Sequence, residues 1–448
     1  MRAPHSSESH LPASFTIAPG TDSTGAPSRA MATATETAPA SSPGHRLHAL
    51  DNLRAIVMLT GITQHAALSY VVSIDFWPVY DVSRSFGFNI MVGITNGFRS
   101  HLFFILAGFF ARLLWLRSGL GAFIRQRALR IGLPFLLGTL TLVPLSGWIR
   151  LWATQQTLAP GEWTTLFTRS EHFWFLEMLL ILCALNALIL WASASASASA
   201  SASATAAATP RSPLARLARP LDAACDWLLA RPWRILALVP IGMLLMWAHH
   251  NVGLVHNKGH NLTPPLRAVL YYGHFYLLGW WLHCRSQHLA TLAQNYASYL
   301  LIAVLSFPVF GIGYMIYHSP EGTHPLWLKT LVIAASALYA WAAAFALIGW
   351  FLRHAGSHTP RVRYLADASY WCYIAHFPLV LWLQVLMLPW DVNCWIKFTL
   401  NVLINLAVLL LLYDLCVRYT WLGRILNGPR TRPGSKSPAP TPAQTAGP

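Results

Sequence analysis

Charge is scarce in this sequence. Only 10% of its 448 residues are charged and just 15 are acidic, whereas 55% are hydrophobic. Soluble domains carry about a quarter charged residues, so this composition excludes an ordinary water-soluble domain. Apolar runs of roughly 20 residues, the length that crosses about 30 Å of hydrocarbon, recur along the chain. The sequence therefore predicts an all-α, polytopic membrane protein, a bundle of about ten transmembrane helices.

The sequence also lacks a cysteine pattern. Its six cysteines form no CxxC pair, and most lie in or beside apolar runs. A free cysteine there behaves as a small buried hydrophobe, so we expect no disulfide framework. Histidines cluster in "HHNVGLVHNKGHN" (249–261), but their spacing matches no standard zinc pattern, and we expect no metal site.

Segments without apolar periodicity divide the chain. Residues 1–45 are rich in Ser, Thr, Ala and Pro, a composition that predicts disorder, and residues 419–448 form a second such tail. The Ala–Ser repeat within 192–212 predicts a flexible linker. Residues 46–418 form the membrane domain. We place its spans at about 50–72, 92–116, 129–149, 172–191, 233–249, 267–284, 297–317, 326–351, 366–388 and 395–416.

The excess of positive charge has two explanations. The formal charge is +16 and the pI is about 10, values typical of nucleic-acid binding or of membrane topology. If the N-terminus is cytoplasmic, most of the 31 basic residues fall in the tails and in alternate loops such as 112–130, 211–234 and 353–363. Loops on the cytoplasmic side accumulate Lys and Arg. The sequence therefore predicts cytoplasmic termini and no nucleic-acid partner.

Ionisable residues interrupt the first span, "LDNLRAIVMLTGITQH" (50–65). Arg54 and His65 are eleven positions apart, which puts them on one helix face with a rise of about 16 Å. An arginine at the mouth of a bundle can bind phosphate, and a histidine further in can take a proton from a hydroxyl group. The alternative is that Arg54 anchors the helix at the interface and His65 bonds a neighbouring helix. Spacing alone does not decide between them.

Three arginines precede the third span: Arg125, Arg127 and Arg130. Arg127 and Arg130 are three positions apart, hence on one face of a helix. Clustered arginines at a membrane surface suit an anionic cofactor or an anionic lipid, although topology alone also accounts for them.

Ionisable residues inside spans usually face the bundle interior or a water-filled cavity, and here they are candidate catalytic residues. They are His101 in the second span, Glu177 in the fourth and His376 in the ninth. Glu177 could pair with His65 or His101 and orient that imidazole. Pro378, two residues after His376, predicts a kink and a freed backbone carbonyl. For the histidines the alternative is a packed, hydrogen-bonded side chain.

Five stretches, taken in order, resemble one family. They are "LDNLRAIVMLTGITQH", "HLFFILAGFF", "RQRALRIGLPF", "HFWFLEMLLIL" and "SYWCYIAHFPLVLW". Each is similar to a segment of the acyltransferase-3 family of integral membrane acyltransferases. Gly108 in the second stretch also predicts a close helix contact. Within the family, the last two stretches look most similar to members that attach succinyl groups to periplasmic glucans.

The resemblance implies an O-acyltransferase in the bacterial inner membrane. It would move an acyl group, acetyl or succinyl, from cytoplasmic acyl-CoA to a hydroxyl of an extracytoplasmic carbohydrate. Acyl-CoA is then a co-substrate, no cofactor is bound permanently, and the partners are donor, carbohydrate and membrane lipid. Direct transfer and an acyl-histidine intermediate both remain open. The alternative from another class is a proton-coupled transporter of a small anionic or sugar-like solute, because intramembrane Arg, His and Glu also line such pathways.

The resemblance also assigns roles to residues. His65 matches the catalytic histidine and Arg54 its partner arginine. Arg127 and Arg130 match an Arg-x-x-Arg that meets the donor, and we group Arg125 with them. Ala107 stands where the family usually has a small hydroxyl residue.

Overall fold

The computed structural model describes residues 43–72, 77–156, 164, 166–202, 223–224, 226–227, 231, 234–247, 252, 262–319, 324–357 and 359–428. All of them belong to one compact unit, Ser41–Pro448. The predictions for the two disordered tails lie largely outside the described residues, but Pro43 begins a helix in the first tail and Trp421–Asn427 is helical in the second. The histidines of the 249–261 stretch lie outside them as well.

The described residues fold as α-helices, and no β-strand occurs among them. This confirms the predicted fold class. The helices are α1 Pro43–Ala67, α2 Phe86–Arg127, α3 Leu133–Thr154, α4 Trp174–Ala202, α5 Arg234–Trp247, α6 Leu266–Cys284, α7 Gln287–Gln294, α8 Tyr296–Tyr317, α9 Leu326–His354, α10 Pro360–Met387, α11 Cys394–Leu412 and α12 Trp421–Asn427.

Six stretches of the described chain are long and apolar enough to cross a membrane. They are Phe86–Thr154, Glu171–Ser195, Tyr296–Tyr317, Leu326–His354, Pro360–Met387 and Cys394–Val417. The first is 69 residues long and contains both α2 and α3. Helices α1, α5 and α6 are not among the six, because α5 is short and polar side chains lower the hydropathy of α1. A membrane-spanning helical bundle is confirmed, whereas the predicted ten spans are not.

The segment that carries the predicted donor-binding arginines is irregular. Gly119 interrupts the helical backbone of α2 with φ 75° and ψ 177°, a conformation that glycine adopts without strain. Residues Ala128–Gly132 then form a π-helical turn before α3. Such turns occur mostly as single insertions in α-helices, frequently at functional sites. Arg127 therefore ends α2 and Arg130 lies within the π-turn.

Glycines let α2 and α6 approach backbone to backbone. A Cβ on Gly108 would lie 1.9 Å from the carbonyl oxygen of Tyr276, and one on Gly279 would lie 1.8 Å from that of Ile105. Only a residue without a side chain fits such a crossing. The close helix contact predicted from Gly108 is therefore present.

Helix α4 runs further than the sequence pattern predicts. Its backbone stays helical to Ala202, inside the Ala–Ser repeat that we expect to be a flexible linker. Alanine has the strongest helix propensity of all residues and serine does not break a helix, so the repeat continues the span it follows. Residues 203–222 lie outside the described part of the chain.

Candidate active site

His65 at the end of α1 and His376 in α10 are hydrogen-bonded to each other. Nδ1 of His65 lies 2.8 Å from Nε2 of His376, and the two rings are nearly parallel. Nδ1 of His376 lies 2.8 Å from the backbone oxygen of Tyr373. A carbonyl only accepts, so in neutral His376 this nitrogen carries the proton and Nε2 accepts from His65. The bonds therefore put the lone pair of neutral His65 on Nε2. We call these two residues the histidine pair.

A third histidine, His172, lies beside the histidine pair, where Pro378 leaves a carbonyl without its helical donor. Proline has no N–H, so the carbonyl of Ile374, four residues earlier, loses its helical donor. Nε2 of His172 donates to that carbonyl over 3.0 Å. In return the hydroxyl of Tyr373 donates to the backbone oxygen of His172 over 2.8 Å. The freed carbonyl predicted from Pro378 is thus present, and these two bonds dock the turn before α4 against α10, beside His376.

Two further residues position His65, Trp77 in the connection after α1 and Gln384 in α10. Trp77, in the connection between α1 and α2, has its ring nearly parallel to that of His65 with centroids 5.8 Å apart. Gln384 accepts from Nε1 of Trp77 over 3.0 Å and donates to the backbone oxygen of His65 over 3.0 Å. A buried ion pair between Asp81 and Lys397, 2.7 Å long, ties the same connection to α11. The imidazole therefore sits in a rigid frame, which catalysis by a positioned group requires.

Arg99 of α2 places its guanidinium beside the histidine pair. A Cβ built on Gly61 would lie 2.8 Å from Nη1 of Arg99 and 3.8 Å from Nε2 of His376. Gly61 precedes His65 by about one helical turn. A positive charge therefore lies against α1, next to the two imidazoles.

Three arginines form a second group of charges. Arg54, Arg127 and Arg130 all lie within electrostatic range of Tyr370, whose hydroxyl donates to the backbone oxygen of Arg130 over 2.5 Å. Asp51 pairs with Arg54 over 3.1 Å. Among the described residues, Arg127 and Arg130 have no acidic partner. We call these three residues the arginine cluster, and its net positive charge suits a polyphosphate.

Helix α1 connects the two groups. Arg54 and His65 belong to the same continuous helix, Pro43–Ala67, so about 16 Å along its axis separates them. Both side chains are partly exposed, whereas Tyr373 and His376 of the facing helix α10 are buried. The arginine cluster, which could bind an anion, and the basic nitrogen of His65, which could accept a proton from a hydroxyl, therefore lie at two levels along the pair α1 and α10.

Comparisons with known proteins identify the family of this chain. The sequence profile of the acyltransferase-3 family, described as an acyltransferase domain, matches residues 47–416. The chain belongs to the acyltransferase-3 family. It is therefore a membrane acyltransferase, as the resemblance in the sequence predicts. The matched range runs from within α1 to beyond the end of α11 and includes every residue of the histidine pair and the arginine cluster.

Three curated relatives of this acyltransferase share a name. Glucans biosynthesis protein C of Escherichia coli O139:H28 is 22% identical over 418 residues, which are 89% of this chain and 99% of the relative. The protein of the same name from Escherichia coli O17:K52:H18 is 22% identical over 419 residues with the same coverage. That of strain K12 is 21% identical over 418 residues, again with 89% and 99% coverage. No solved structure matches the chain.

The remaining candidates from the sequence lie apart from the histidine pair. His101 of α2 is buried against α6, where its Nε2 lies 2.9 Å from the hydroxyl of Tyr271. Glu177 is also buried, but the predicted pairing with His65 or His101 is not found, because no ion pair joins it to a described histidine. It follows His172 by five residues, more than one helical turn along the chain from the contact with α10. Arg125 is exposed on α2.

The candidate site contains two side chains that sequence reasoning did not select, Arg99 and His172. Arg99 is also an ionisable residue inside the second predicted span, and it lies two positions before the candidate His101. The predicted fourth span, 172–191, begins at His172, a position at the edge of the membrane that does not indicate a site residue. Pro378 was the signal that could have found it, since a freed carbonyl requires a donor.

Proposed function

We propose that this membrane acyltransferase transfers an acyl group from acyl-CoA, held by the arginine cluster, to a carbohydrate hydroxyl that reaches His65. The observation that carries the proposal is the geometry of α1. One helix holds a basic imidazole nitrogen of defined tautomer and, about 16 Å along the axis, a cationic group suited to nucleotide phosphates. A pantetheine arm is an extended chain that would run between these two levels. The name of the curated relatives, glucans biosynthesis protein C, supports a carbohydrate acceptor.

His65 acts as the general base in this reaction. Its Nε2 takes the proton of the acceptor hydroxyl while the hydroxyl oxygen attacks the thioester carbonyl carbon. The imidazolium so formed donates through Nδ1 to His376, whose own N–H stays on the carbonyl of Tyr373. The C–S bond then breaks, and the imidazolium returns the proton to the departing thiolate. Positioned general bases contribute roughly 10²–10⁴-fold in rate.

The same nitrogen could carry the acyl group itself. Attack of Nε2 on the thioester would give an acyl-imidazole, which the acceptor hydroxyl then resolves. The two routes differ in what happens without acceptor. We expect no label on protein that is quenched rapidly after mixing with radiolabelled acyl-CoA alone. Label that depends on His65 would instead establish the covalent route.

The uneven distribution of basic residues between alternate loops supports one orientation of the chain in the membrane. With both termini in the cytoplasm of a bacterial inner membrane, the basic loops fall on the cytoplasmic side. The arginine cluster then faces the cytoplasm, where acyl-CoA is made, and the level of His65 faces the periplasm. We propose succinyl ahead of acetyl as the acyl group, on the similarity of "HFWFLEMLL" and "YIAHFPLV" to glucan-succinylating members of the family.

The test uses the full chain purified in detergent, with radiolabelled acetyl-CoA or succinyl-CoA and a periplasmic glucan fraction. We expect label to pass to the glucan with the wild type and not with His65→Ala. His354→Ala is the matched control, because His354 is an exposed histidine of α9 remote from the pair. Mass spectrometry of envelope glycans from cells with and without the protein identifies the acyl group. Loss of acetyl additions alone would contradict the preference for succinyl.

A transporter would behave differently in the same preparations. Substrate counterflow in sealed vesicles that does not depend on acyl-CoA, with no transfer of label by any acyl-CoA, would overturn the proposed function.

A further inference from the structure

Arg99 is a positive charge inside the bundle that no described acid neutralises. It lies thirteen residues after α2 begins at Phe86, about 20 Å along the helix axis. No acidic side chain among the described residues forms an ion pair with it. A charge inside a membrane bundle is costly and is retained mainly where it has a function. A guanidinium inside the bundle that has no acidic partner is suited to bind an anion.

The groups around Arg99 do not supply that anion. Its ionisable neighbours include His376, which carries no negative charge, and the buried Tyr272 and Tyr373. A tyrosine hydroxyl has an ordinary pKa near 10 and is neutral at physiological pH. The hydroxyl of Tyr373 is in any case bonded to the backbone of His172. Neither tyrosine compensates the charge of the guanidinium.

The reaction at His65 would create a second positive charge at this place. When Nε2 of His65 takes a proton, an imidazolium forms within the histidine pair, and like charges at close range repel strongly in a low dielectric. The repulsion is relieved only if a negative charge forms at the same time beside Arg99. The carbonyl oxygen of a thioester acquires such a charge at the moment the hydroxyl attacks. Guanidinium N–H groups bind oxyanions through charge-assisted hydrogen bonds.

We propose that the guanidinium of Arg99 binds the thioester carbonyl oxygen and stabilises the oxyanion of the tetrahedral intermediate. The inference rests on the proposed function and adds a catalytic residue to it. The attacking oxygen forms a bond to the carbonyl carbon, its proton goes to Nε2 of His65, and the carbonyl π electrons go to the oxygen beside Arg99. Collapse restores the C=O bond, breaks the C–S bond and returns the proton to sulfur. The products are an ester and free CoA.

The first test replaces the charge and varies the donor. Arg99→Gln and Arg99→Lys are assayed with acetyl-CoA and with succinyl-CoA. Loss of one oxyanion donor typically lowers kcat by about 10²–10³-fold, and we expect Arg99→Gln to show this for both donors with little change in KM. Arg99→Lys should recover part of the loss. Lys329→Gln, a charge removed at the start of α9, is the control and should match the wild type.

Two outcomes would overturn the proposal. If Arg99→Gln abolished transfer from succinyl-CoA but not from acetyl-CoA, Arg99 would bind the distal carboxylate of a diacid and not the reacting carbonyl. If kcat stayed within a few-fold of the wild type for both donors, Arg99 would have no catalytic role. Acyl-CoA binding, measured on the same variants, separates a lost reaction from a lost fold.

The second test moves the guanidinium without removing it. A methyl group on Gly61 would lie 2.8 Å from Nη1 of Arg99, the mobile end of a flexible side chain, so Gly61→Ala should fold while displacing the guanidinium. We expect a clear loss of kcat at unchanged acyl-CoA affinity. Gly311→Ala on α8 is the matched control, because no atom lies within 4 Å of a Cβ built there. Equal activity of the two alanine variants would contradict the placement of Arg99 at the reacting carbonyl.

Failure of the inference differs from failure of the proposed function. One set of results would contradict the role of Arg99 alone: the wild type transfers label, His65→Ala is inactive and Arg99→Gln is fully active. If the wild type transfers no label from any acyl-CoA, both the proposed function and the role of Arg99 are contradicted.

Discussion

His65 and His101 are both held by a neighbouring helix, but the bonds differ in what they define. His65 donates to His376, and that chain of bonds ends on a backbone carbonyl, which can only accept. His101 bonds the hydroxyl of Tyr271, a group that can donate or accept, so this bond leaves the tautomer of His101 open. Burial of a histidine in a membrane bundle does not by itself make a base. The direction of its hydrogen bonds determines which ring nitrogen keeps the lone pair that accepts a proton.

The surroundings of the two histidines differ as well. Arg99 and His101 are two positions apart on α2, about 200° around the helix, so they face different neighbours. Arg99 lies against α1 beside the histidine pair, whereas the ring of His101 packs edge-on against Phe275 of α6. Charge is therefore brought to one histidine site, and aromatic packing encloses the other.

The largest effect should come from removing the two histidines in turn. We expect His65→Asn to lower kcat by about 10²–10⁴-fold, since it removes the general base. His101→Asn should cost protein stability and leave kcat within a few-fold of the wild type. Steady-state assays with labelled acyl-CoA, together with thermal unfolding in detergent, measure both. Similar losses of kcat in the two variants would erase the distinction between the sites.

The second comparison removes the partner of each histidine. His376→Phe keeps a ring but takes away the acceptor for Nδ1 of His65, so we expect kcat to fall by roughly 10²-fold through loss of tautomer and orientation. Tyr271→Phe removes only the hydroxyl bonded to His101, and leaving that nitrogen unpaired should cost about 1–3 kcal/mol of stability. Titration of the ring resonances of His65 by NMR, with and without His376→Phe, reports the tautomer. A tautomer that does not change in the variant would refute the relay.

The arginines should affect binding more than chemistry. Arg127→Gln and Arg130→Gln each remove a charged hydrogen-bond donor worth about 1.5–3 kcal/mol, so we expect KM for acyl-CoA to rise by roughly 10–100-fold with kcat little changed. Arg125→Gln is the control, because Arg125 is exposed and makes no described contact with the arginine cluster. Equilibrium binding of radiolabelled acyl-CoA checks this directly. Equal affinities in all three variants would place the donor elsewhere.

The smallest effect should follow from restoring a backbone donor. Pro378→Ala supplies an N–H that competes with His172 for the carbonyl of Ile374, and we expect a fall in kcat of only a few-fold at full stability. Pro308→Ala, in the middle of α8 and exposed, is the matched control. Steady-state kinetics of both variants give the comparison. A gain of activity in Pro378→Ala would show that the turn carrying His172 does not help to hold His376.

Much of the fold follows from composition. Long apolar runs and scarce charge can only form helices in hydrocarbon, because every backbone polar group must bond within its own segment. The number of spans does not follow as simply. The polar residues of α1 reduce its hydropathy below that of an ordinary span, and the Ala–Ser repeat after Trp191 extends α4 where composition indicates a linker.

The site follows from the sequence in part. The positions of Arg54 and His65 on one helix determine their separation along its axis. Pro378 indicates a backbone carbonyl that lacks its helical hydrogen-bond donor. That His172 is this donor depends on how α4 docks against α10, which no local pattern encodes. The same holds for Arg99, whose role depends on the face of α2 that turns toward α1.

The amino-acid sequence by itself determined the helical class, the family and the two levels of charge along α1, because these depend on composition and on spacing within one helix. Only the tertiary structure decided which ionisable residues meet. His376 reaches His65 and Glu177 does not, since contacts between helices depend on packing at glycines such as Gly61 and on bonds to carbonyls freed by proline. Distances within a helix are encoded locally, whereas distances between helices are set by packing of the whole bundle.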